Sequence, residues 1–413
     1  LVALTKVDLV DPDRLALARL DVQDLVAGSF LEGAPAVPVS TKSGEGLDVL
    51  RKRLSSLARA VNRRGTHGSA RLPIDRVFSM KGFGTVVTGT LVSGSMAIDD
   101  ELEVAPGDRR VKVRGLQVHG QKHSRASAGQ RTAVNLAGLE VHDLARGQSL
   151  VAPEVFEQTR VADAVVELLA AAKPLKHGAR VRFHQGTAEI LGRVALVGPQ
   201  DGGGGAGPVV MPGSRAFVRL RLEAPAVLAR GDRYILRAYS PSITIAGGVI
   251  LDPQPQRMAL RSQGALDRSR RLDWNPGSEP EDQLGAAVVM IEDAGIQGLP
   301  VQALISRAAI DRADPARCIE RLSVRRQAVT AGNTLVTCRI LDDLMSSIGE
   351  TLAAHHKREP LSEGMPREEL RERLFARGHP SIFARALDDL VAAGTLAVRD
   401  RVALTAHRVA LSP

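Results

Sequence analysis

The chain has 413 residues, more than one hydrophobic core usually organises, so we expect several domains. It is 44% hydrophobic without a long uninterrupted apolar run, and its cysteines, Cys318 and Cys338, are too few for a disulfide framework, so a soluble cytoplasmic protein is expected. The formal net charge is +9, and most of the excess lies between residues 61 and 256, which is typical of a phosphate-rich partner or of an ordinary solvated surface.

The first 61 residues alternate strand and helix signals. Residues 1–4 and 36–39 are short apolar runs suited to buried parallel strands. Asp11 followed by Pro12 predicts the start of one helix, and a second helix is expected over residues 47–61. This order predicts the last part of an open α/β domain, and residues 62–71 have the composition of a linker.

Residues 72–256 carry short β-rich runs separated by Gly, Pro and Asp, which predicts two β-barrels, over residues 72–153 and 154–256. In residues 217–222, for example, apolar and basic residues alternate as they do in a half-buried strand. The glycines of residues 201–207 predict a flexible hairpin loop rather than a phosphate-binding loop, because no Lys-Ser/Thr follows them.

Helical periodicity returns after residue 256. We expect a linker over residues 257–280 and then two similar units, residues 281–340 and 341–407, each with three helices and a terminal β-hairpin. This repeat predicts winged helices, although the periodicity alone also allows small helical bundles.

Two polar motifs follow the two strands predicted in the first region. Thr5-Lys6-Val7-Asp8 follows the first strand, and Ser40-Thr41-Lys42 follows the second. An Asp carboxylate there can accept hydrogen bonds from the ring N–H and the amino group of guanine, which adenine cannot supply. The lysine stem can lie along the base, and a loop N–H can meet the guanine carbonyl. We therefore predict a guanine site, with a solvated charged loop as the alternative, formed by Thr5, Lys6, Asp8, Ser40, Thr41 and Lys42.

At these motifs the chain resembles the translational GTPases. The resemblance continues through the glycine-threonine segment of residues 82–89 and through residues 229–237. Residues 72–78 and 128–136, together with the predicted winged helices, are most similar to the selenocysteine-specific elongation factors. The fold implied is multidomain: the C-terminal part of an α/β GTPase domain, two β-barrels and α+β winged-helix repeats.

The resemblance also implies a function. A monomeric protein of this family would bind GTP with Mg²⁺, deliver selenocysteyl-tRNA to the ribosome, and bind a hairpin in selenoprotein mRNA. It implies further that Asp75, Arg76 and Arg131 form the selenocysteine pocket. A selenol is an anion at neutral pH whereas a serine hydroxyl is neutral, so two guanidinium groups would favour selenocysteine, with Asp75 orienting one of them. The alternative is an ordinary surface ion pair, with Arg131 capping a strand.

Two features depart from the family pattern. Thr5 stands where other members usually have Asn, and no Gly-x-x-x-x-Gly-Lys-Ser/Thr phosphate loop occurs in the sequence. We therefore expect a fragment, without the phosphate-loop part and the last winged helices, that neither binds GTP tightly nor hydrolyses it by itself. No catalytic residue is assigned.

Two further groups of residues contain side-chain types that bind metals or RNA. His119, His123 and His142 lack the spacing of a metal site, so none is expected there. The arginines on or after the third helix of the first winged unit are candidates for RNA contact, with a solvated helix face as the alternative: Arg317, Arg321, Arg325 and Arg326.

Two other functions remain open. A general translational GTPase for ordinary aminoacyl-tRNA would explain the guanine motif and the barrels but would need no winged units. A winged-helix regulator that binds duplex DNA would explain residues 281–407 but not the guanine motif.

Overall fold

The computed structural model describes residues 1–60, 68–80, 82, 84–198, 209–273, 280–310 and 315–407. It contains two compact units, Leu1–Arg64 and Gly65–Pro413, which are described separately. Most of the expected linker at residues 62–71 and the glycine-rich loop of residues 201–207 lie outside the described residues.

The first unit is a small α/β structure. Its elements are β1 (Val2–Leu4), α1 (Pro12–Val26), β2 (Ala36–Pro38) and α2 (Leu47–Ala60), with β1 and β2 paired in parallel. The Asp11 side chain caps α1 by accepting a hydrogen bond from the Arg14 N–H at 2.7 Å. Neither helix buries a residue in this unit, and Leu17 and Leu25 are 61% and 82% exposed.

The second unit begins with a barrel of short strands. Six of them form a ring in the order β10-β4-β3-β11-β6-β7, which the pairing of β10 with β7 closes. Its core is aliphatic, with Leu72, Val113 and Leu150 fully buried. The strands are β3 (Arg71–Met80), β4 (Gly84–Thr90), β5 (Ser95–Ala97), β6 (Glu101–Ala105), β7 (Arg109–Val118), β8 (Gln121–His123), β9 (Arg125–Ser127), β10 (Arg131–Leu136) and β11 (Ser149–Val151).

A second barrel follows, closed in the order β12-β17-β15-β14-β18-β19 around Phe183 and Leu236. Arg71 of the first barrel and Asp232 of the second form an almost fully buried bidentate ion pair, with one N–O distance of 2.6 Å, which joins the two barrels. The strands are β12 (Gln158–Leu168), β13 (Leu175–Lys176), β14 (Arg180–Gln185), β15 (Ala188–Leu196), β16 (Val209–Val210), β17 (Arg215–Val227), β18 (Arg233–Ala238) and β19 (Thr244–Asp252).

Two units of three helices and a hairpin complete the described chain, as the repeat predicts. The first comprises α4 (Pro280–Ala294), β20 (Leu299–Pro300), α5 (Ala303–Arg307), α6 (Pro315–Val324), β21 (Ala328–Ala331) and β22 (Thr334–Thr337). The second comprises α7 (Cys338–Arg358), α8 (Arg367–Phe375), α9 (Pro380–Ala392), β23 (Leu396–Val398) and β24 (Val402–Leu404). Across the described ranges, no helix is long and apolar enough to span a bilayer.

The expected linker at residues 257–280 contains a helix instead, α3 (Gln263–Arg271). The Ser262 side chain caps it by accepting from the Ala265 N–H at 3.1 Å. Its face carrying Ala265, Arg268 and Ser269 is buried. The helix was missed because it is short and buries an arginine, which removes the apolar periodicity that identifies helices in a sequence.

The second winged unit buries two histidines at the end of α7. His355 and His356 are each 7% exposed, and the His356 ring stacks on His407 with the ring centroids 3.7 Å apart. His356 Nε2 accepts a hydrogen bond from the Leu404 N–H at 3.3 Å, which ties α7 to β24. Burial, and then the neighbouring His407 and His355, lower the pKa of His356 below its ordinary value.

We expect the second winged unit to lose stability as the pH falls. A histidine whose pKa is lowered in the folded state binds a proton more readily when unfolded, so its stabilising contribution is present above the unfolded pKa, about 6.5, and is lost below it. Thermal unfolding at pH 7.5 and 5.5 should show a lower midpoint at pH 5.5, and His356→Gln should reduce that difference. The exposed His119, replaced as His119→Asn, is the control; an equal reduction there would contradict the assignment to His356.

Candidate functional site

The two motifs of the first unit lie side by side at the carboxyl ends of β1 and β2. The Ser40 hydroxyl donates a hydrogen bond to Asp8 Oδ1 at 2.6 Å and accepts from the backbone N–H groups of Lys42 and Ser43, each at 3.2 Å. Ser40 is buried, whereas the Asp8 carboxylate is exposed. The carboxylate is thus held in one orientation with acceptor capacity remaining.

Backbone conformation fixes both loops. Lys6 is left-handed, with φ 60° and ψ 36°. Gly46 has φ +72°, and a Cβ atom there would lie 2.0 Å from the Pro38 carbonyl oxygen, so only glycine fits. Thr5, Thr41 and the Lys42 side chain are exposed beside Asp8. An exposed, oriented carboxylate with exposed lysine side chains in the same two loops suits a guanine base, and that role stays a prediction.

A charged cluster lies on the outside of the first barrel. Arg131 of β10 donates two hydrogen bonds to Asp75 of β3, at 2.5 and 3.2 Å, and the Thr88 hydroxyl of β4 donates to the same carboxylate at 2.6 Å. A β-bulge between Ile74 and Arg76 turns the Asp75 side chain towards its partners. Burial alone would raise the pKa of Asp75, but the hydrogen bonds from Arg131 and Thr88 hold it below its usual range.

Arg76 carries the remaining charge of this cluster. Asp75 and Arg131 neutralise one another, while Arg76 is exposed on β3 opposite Thr88. Within the described parts of the chain, its guanidinium makes no hydrogen bond or ion pair. The cluster therefore presents one net positive charge, although Arg131 is itself 53% exposed and can also contact a ligand.

An apolar pocket of about 220 Å³ continues along the same face. Side chains alternate along a strand, so Phe78 and Met80 share the face of Arg76, and Ala133 and Asn135 share that of Arg131. Val86 of β4 lies between Phe78 of β3 and Asn135 of β10 in the strand register. Phe78 is two positions along β3 from Arg76, so the pocket begins next to the charged cluster. This pocket is not among the sites predicted from the sequence, although two large apolar side chains alternating on the outer face of β3, Phe78 and Met80, are a signal for it.

The second barrel carries an arginine-rich outer face. The face spans four neighbouring strands, and its arginines are Arg221, Arg193, Arg180, Arg182 and Arg237. Arginines lie directly opposite one another across the strands, Arg182 facing Arg237 and Arg180 facing Arg193. Arg180 and Arg182 are paired with Glu223 and Glu189, at 2.9 and 2.7 Å, so the five arginines leave a positive excess on this face that would attract an anionic ligand.

Aromatic and cleft residues extend that face. The Arg180 and Arg182 guanidinium groups lie 4.5 and 5.8 Å from the centre of the exposed Tyr239 ring. A cleft of about 620 Å³ leads from Arg237 towards Arg146 of the first barrel. Arginine with an exposed aromatic ring is typical of nucleic-acid surfaces.

The remaining predicted residues lie apart from these sites. Arg317 and Arg321 are on α6, and Arg325 follows it. Arg326 is left-handed, with φ 51°, and lies 3.5 Å from Asp342 in an exposed ion pair. Over the residues that the structure covers, no three His, Cys, Asp or Glu side chains are grouped so as to hold a metal ion.

Models of three protein families match the chain. They are the selenocysteine-specific elongation factor beta-barrel domain at residues 162–257, the elongation factor SelB winged helix at residues 350–403, and elongation factor Tu domain 2 at residues 84–151. They match both barrels and a winged unit, so the predicted multidomain fold class is confirmed, with residues 1–60 forming the α/β part.

Curated relatives match along the whole chain. The selenocysteine-specific elongation factor of Desulfomicrobium baculatum is 37% identical over 418 residues, which cover 100% of this chain and 63% of the relative. That of Escherichia coli is 29% identical and covers 90% of this chain and 55% of the relative. A crystal structure of a bacterial selenocysteine-specific elongation factor superposes with a TM-score of 0.73 at 20% identity, over 97% of this chain and 61% of the other.

The chain thus spans less than two thirds of the length of these relatives. The family models nevertheless match both barrels and a winged unit, as the resemblance implies. The chain belongs to the family of selenocysteine-specific elongation factors.

Proposed function

We propose that this chain, as part of a full-length member of its family, serves in the GTP-dependent binding of selenocysteyl-tRNA and its delivery to the ribosome in the cytoplasm, by a monomer that also holds a hairpin of selenoprotein mRNA. The observation that carries the proposal is the charged cluster of Asp75, Arg76 and Arg131 next to an apolar pocket on the first barrel. The family membership supports it, because the relatives are named selenocysteine-specific elongation factors.

The cluster suits a selenolate better than a serine hydroxyl. Because Asp75 neutralises Arg131, the exposed Arg76 supplies the net positive charge, and both guanidinium groups offer N–H donors. A charged acceptor gains more from such donors than a neutral one. The Thr88 hydroxyl orients the Asp75 carboxylate by a hydrogen bond, and this carboxylate orients the Arg131 guanidinium before a ligand binds. We infer that this pre-oriented guanidinium makes the site specific for a selenolate over a serine hydroxyl.

The neighbouring surfaces suit the rest of the tRNA. The amino acid is esterified to the terminal nucleoside, and the apolar pocket around Phe78 and Met80 begins beside the cluster. A flat base can stack on such side chains. The arginine-rich outer face of the second barrel, with Tyr239, would meet backbone phosphates, which makes binding dependent on salt.

The first unit would recognise the nucleotide base. Asp8, oriented by Ser40, would accept two hydrogen bonds from guanine, with Lys6 and Lys42 beside the base. When bound, GTP with its Mg²⁺ would supply the phosphate chemistry that ends delivery. Arg317, Arg321, Arg325 and Arg326 remain candidates for contact with RNA in the winged units.

The proposal is tested by comparing ligands that differ in one feature. Binding should be measured for the chain within a full-length protein of the family, with GTP and at one salt concentration. The ligands are selenocysteyl-tRNA, the same tRNA carrying serine, and the same tRNA uncharged. We expect selenocysteyl-tRNA to bind at least tenfold more tightly than the other two, about 1.4 kcal/mol.

Two further ligands separate the alternatives. Equal binding of an ordinary alanyl-tRNA would identify a general elongation factor. Tight binding of duplex DNA at physiological salt, without preference for any charged tRNA, would identify a winged-helix regulator. Either result would overturn the proposal.

A further inference from the structure

A cluster of buried charges lies where the second barrel meets α3 and the first winged unit. Its core members are all less than a tenth exposed: Asp163, Arg219, Asp252, Arg268 and Arg307. They come from the barrel strands β12, β17 and β19, from α3 and from α5. None was identified from the sequence, and the proposed function does not use them.

Arg268 is the centre of the cluster. Its guanidinium donates to three carboxylates on three elements: Asp163 of β12 at 2.7 Å, Asp252 at the end of β19 at 2.7 Å, and Asp293 of α4 at 2.6 Å. A single side chain on α3 therefore joins the barrel to the first helix of the winged unit. A guanidinium can satisfy three carboxylates only when all of them lie near its plane.

Two other arginines complete the junction. Arg219 of the barrel donates twice to Asp163, at 2.6 and 3.0 Å. Arg307 of α5 donates twice to Asp252, at 3.1 and 2.9 Å. Each barrel carboxylate is thus shared between Arg268 and a second arginine.

The backbone is joined at the same place. The Arg230 N–H of the barrel donates to the Ser306 carbonyl of α5 at 3.0 Å. The Arg230 side chain donates to the carbonyls of Leu251 and Leu272, at 2.7 and 2.8 Å. These bonds connect the barrel to α5 and to the chain that follows α3, and the residues that form them are buried.

Apolar contacts supply the buried area of this junction. Val165 and Leu251 of the barrel pack in one hydrophobic cluster with Leu284, Met290 and Ile291 of the winged unit. Such contacts are not directional, so by themselves they would allow several docking angles.

The hydrogen bonds between these charged side chains are directional, and the charges themselves are costly to bury. Burial raises the pKa of Asp163 above its usual range even though Arg219 and Arg268 lie against it. A buried charge left without its partner costs far more than the intact pair contributes, so any other docking angle is strongly disfavoured. The cluster therefore selects one orientation rather than adding net affinity.

We propose that the second barrel and the first winged unit form one rigid body, whose angle is set by Arg268. A ligand held on the winged helices is then kept at a fixed distance and direction from a ligand held on the barrels. This inference does not depend on which ligands those are.

The first test compares two arginines of the same helix. Arg268→Gln removes the buried three-way contact, whereas Arg270→Gln removes an exposed side chain whose one ion pair within the described ranges is with its neighbour Asp267. Spin labels at the exposed positions Lys173 of the barrel and Ser323 of α6, with Cys338 replaced by serine, report the distance between the barrel and the first winged unit by pulsed electron resonance. We expect one narrow distance distribution for the wild type and Arg270→Gln, and at least a twofold broader one for Arg268→Gln. A distribution of unchanged width in Arg268→Gln would overturn the proposal.

The second test needs no variant and applies even if Arg268→Gln fails to fold. Hydrogen exchange of the wild type compares two backbone amides. The Arg230 N–H bonds across the junction to Ser306, whereas the Ile250 N–H bonds within the barrel to the Asp232 backbone carbonyl at 2.9 Å. In a rigid body both amides exchange only when the barrel itself opens, so their protection should agree within about tenfold. An Arg230 amide that exchanges a hundredfold faster or more would show independent undocking and would refute rigid coupling.

Discussion

Arg131→Ala is expected to weaken binding of selenocysteyl-tRNA by about ten- to a hundredfold while barely changing the affinity for seryl-tRNA or uncharged tRNA. A charge-assisted hydrogen bond contributes roughly 1.5 to 3 kcal/mol to binding. The half-exposed Arg131 guanidinium can donate such bonds to a selenolate. The variant also leaves the Asp75 carboxylate without its arginine partner and close to the anion. Repulsion by Asp75 should place the loss towards the upper end of this range.

The measurement is equilibrium binding of the three tRNAs, with GTP and at one salt concentration, to the wild type and the variant of a full-length family member that contains this chain. Arg125→Ala is the matched control, because Arg125 is an exposed arginine of the same barrel whose side chain bonds, among the residues described, only to the Ser95 hydroxyl. It should leave all three affinities unchanged. An equal loss for the three tRNAs in Arg131→Ala would instead make Arg131 a phosphate contact, and no loss would leave it a structural ion pair.

Gly248→Ala is expected to destabilise the second barrel by about 4 kcal/mol or more, a large part of the stability of an ordinary domain. A Cβ atom at this position would lie 1.9 Å from the Val165 carbonyl oxygen and 2.7 Å from the Tyr234 hydroxyl oxygen. Those two groups are themselves hydrogen-bonded at 2.7 Å inside the barrel. The added methyl group can be accommodated only if β12 separates from β19, which breaks strand pairing in a closed ring.

Gly247→Ala provides the control, since it adds the same methyl group one residue earlier in β19. Its nearest neighbour would be the Tyr234 carbonyl oxygen at 3.5 Å, an ordinary contact distance. Thermal unfolding should show a midpoint lowered by more than about 10 °C for Gly248→Ala and by only a few degrees for Gly247→Ala. Similar midpoints for the two variants would mean that the barrel adjusts to the added group.

Local sequence features determined much of this fold. Asp11 and Pro12 start α1 because a carboxylate can accept the first unpaired N–H groups and proline lacks one. The strands of the barrels and the two units of three helices and a hairpin could also be predicted from the sequence. Turn residues and side-chain periodicity identify such elements because both depend on residues only a few positions apart. The motifs at Asp8 and Ser40 were placed together for the same reason, since consecutive parallel strands end at one edge.

Only the tertiary structure decided which polar residues are buried. Arg219 and Arg221 are two positions apart on β17 and therefore on the same side of the strand, so the sequence predicts the same environment for both. In the folded chain Arg219 is buried and donates to Asp163, 56 positions away, and to the Gln256 carbonyl, 37 positions away, while Arg221 stays exposed. A buried arginine has no local signature, because its burial is made favourable by carboxylates from distant elements. The same reason explains why α3 was predicted as a linker and why the link from Thr88 through Asp75 to Arg131 emerged only from strand pairing.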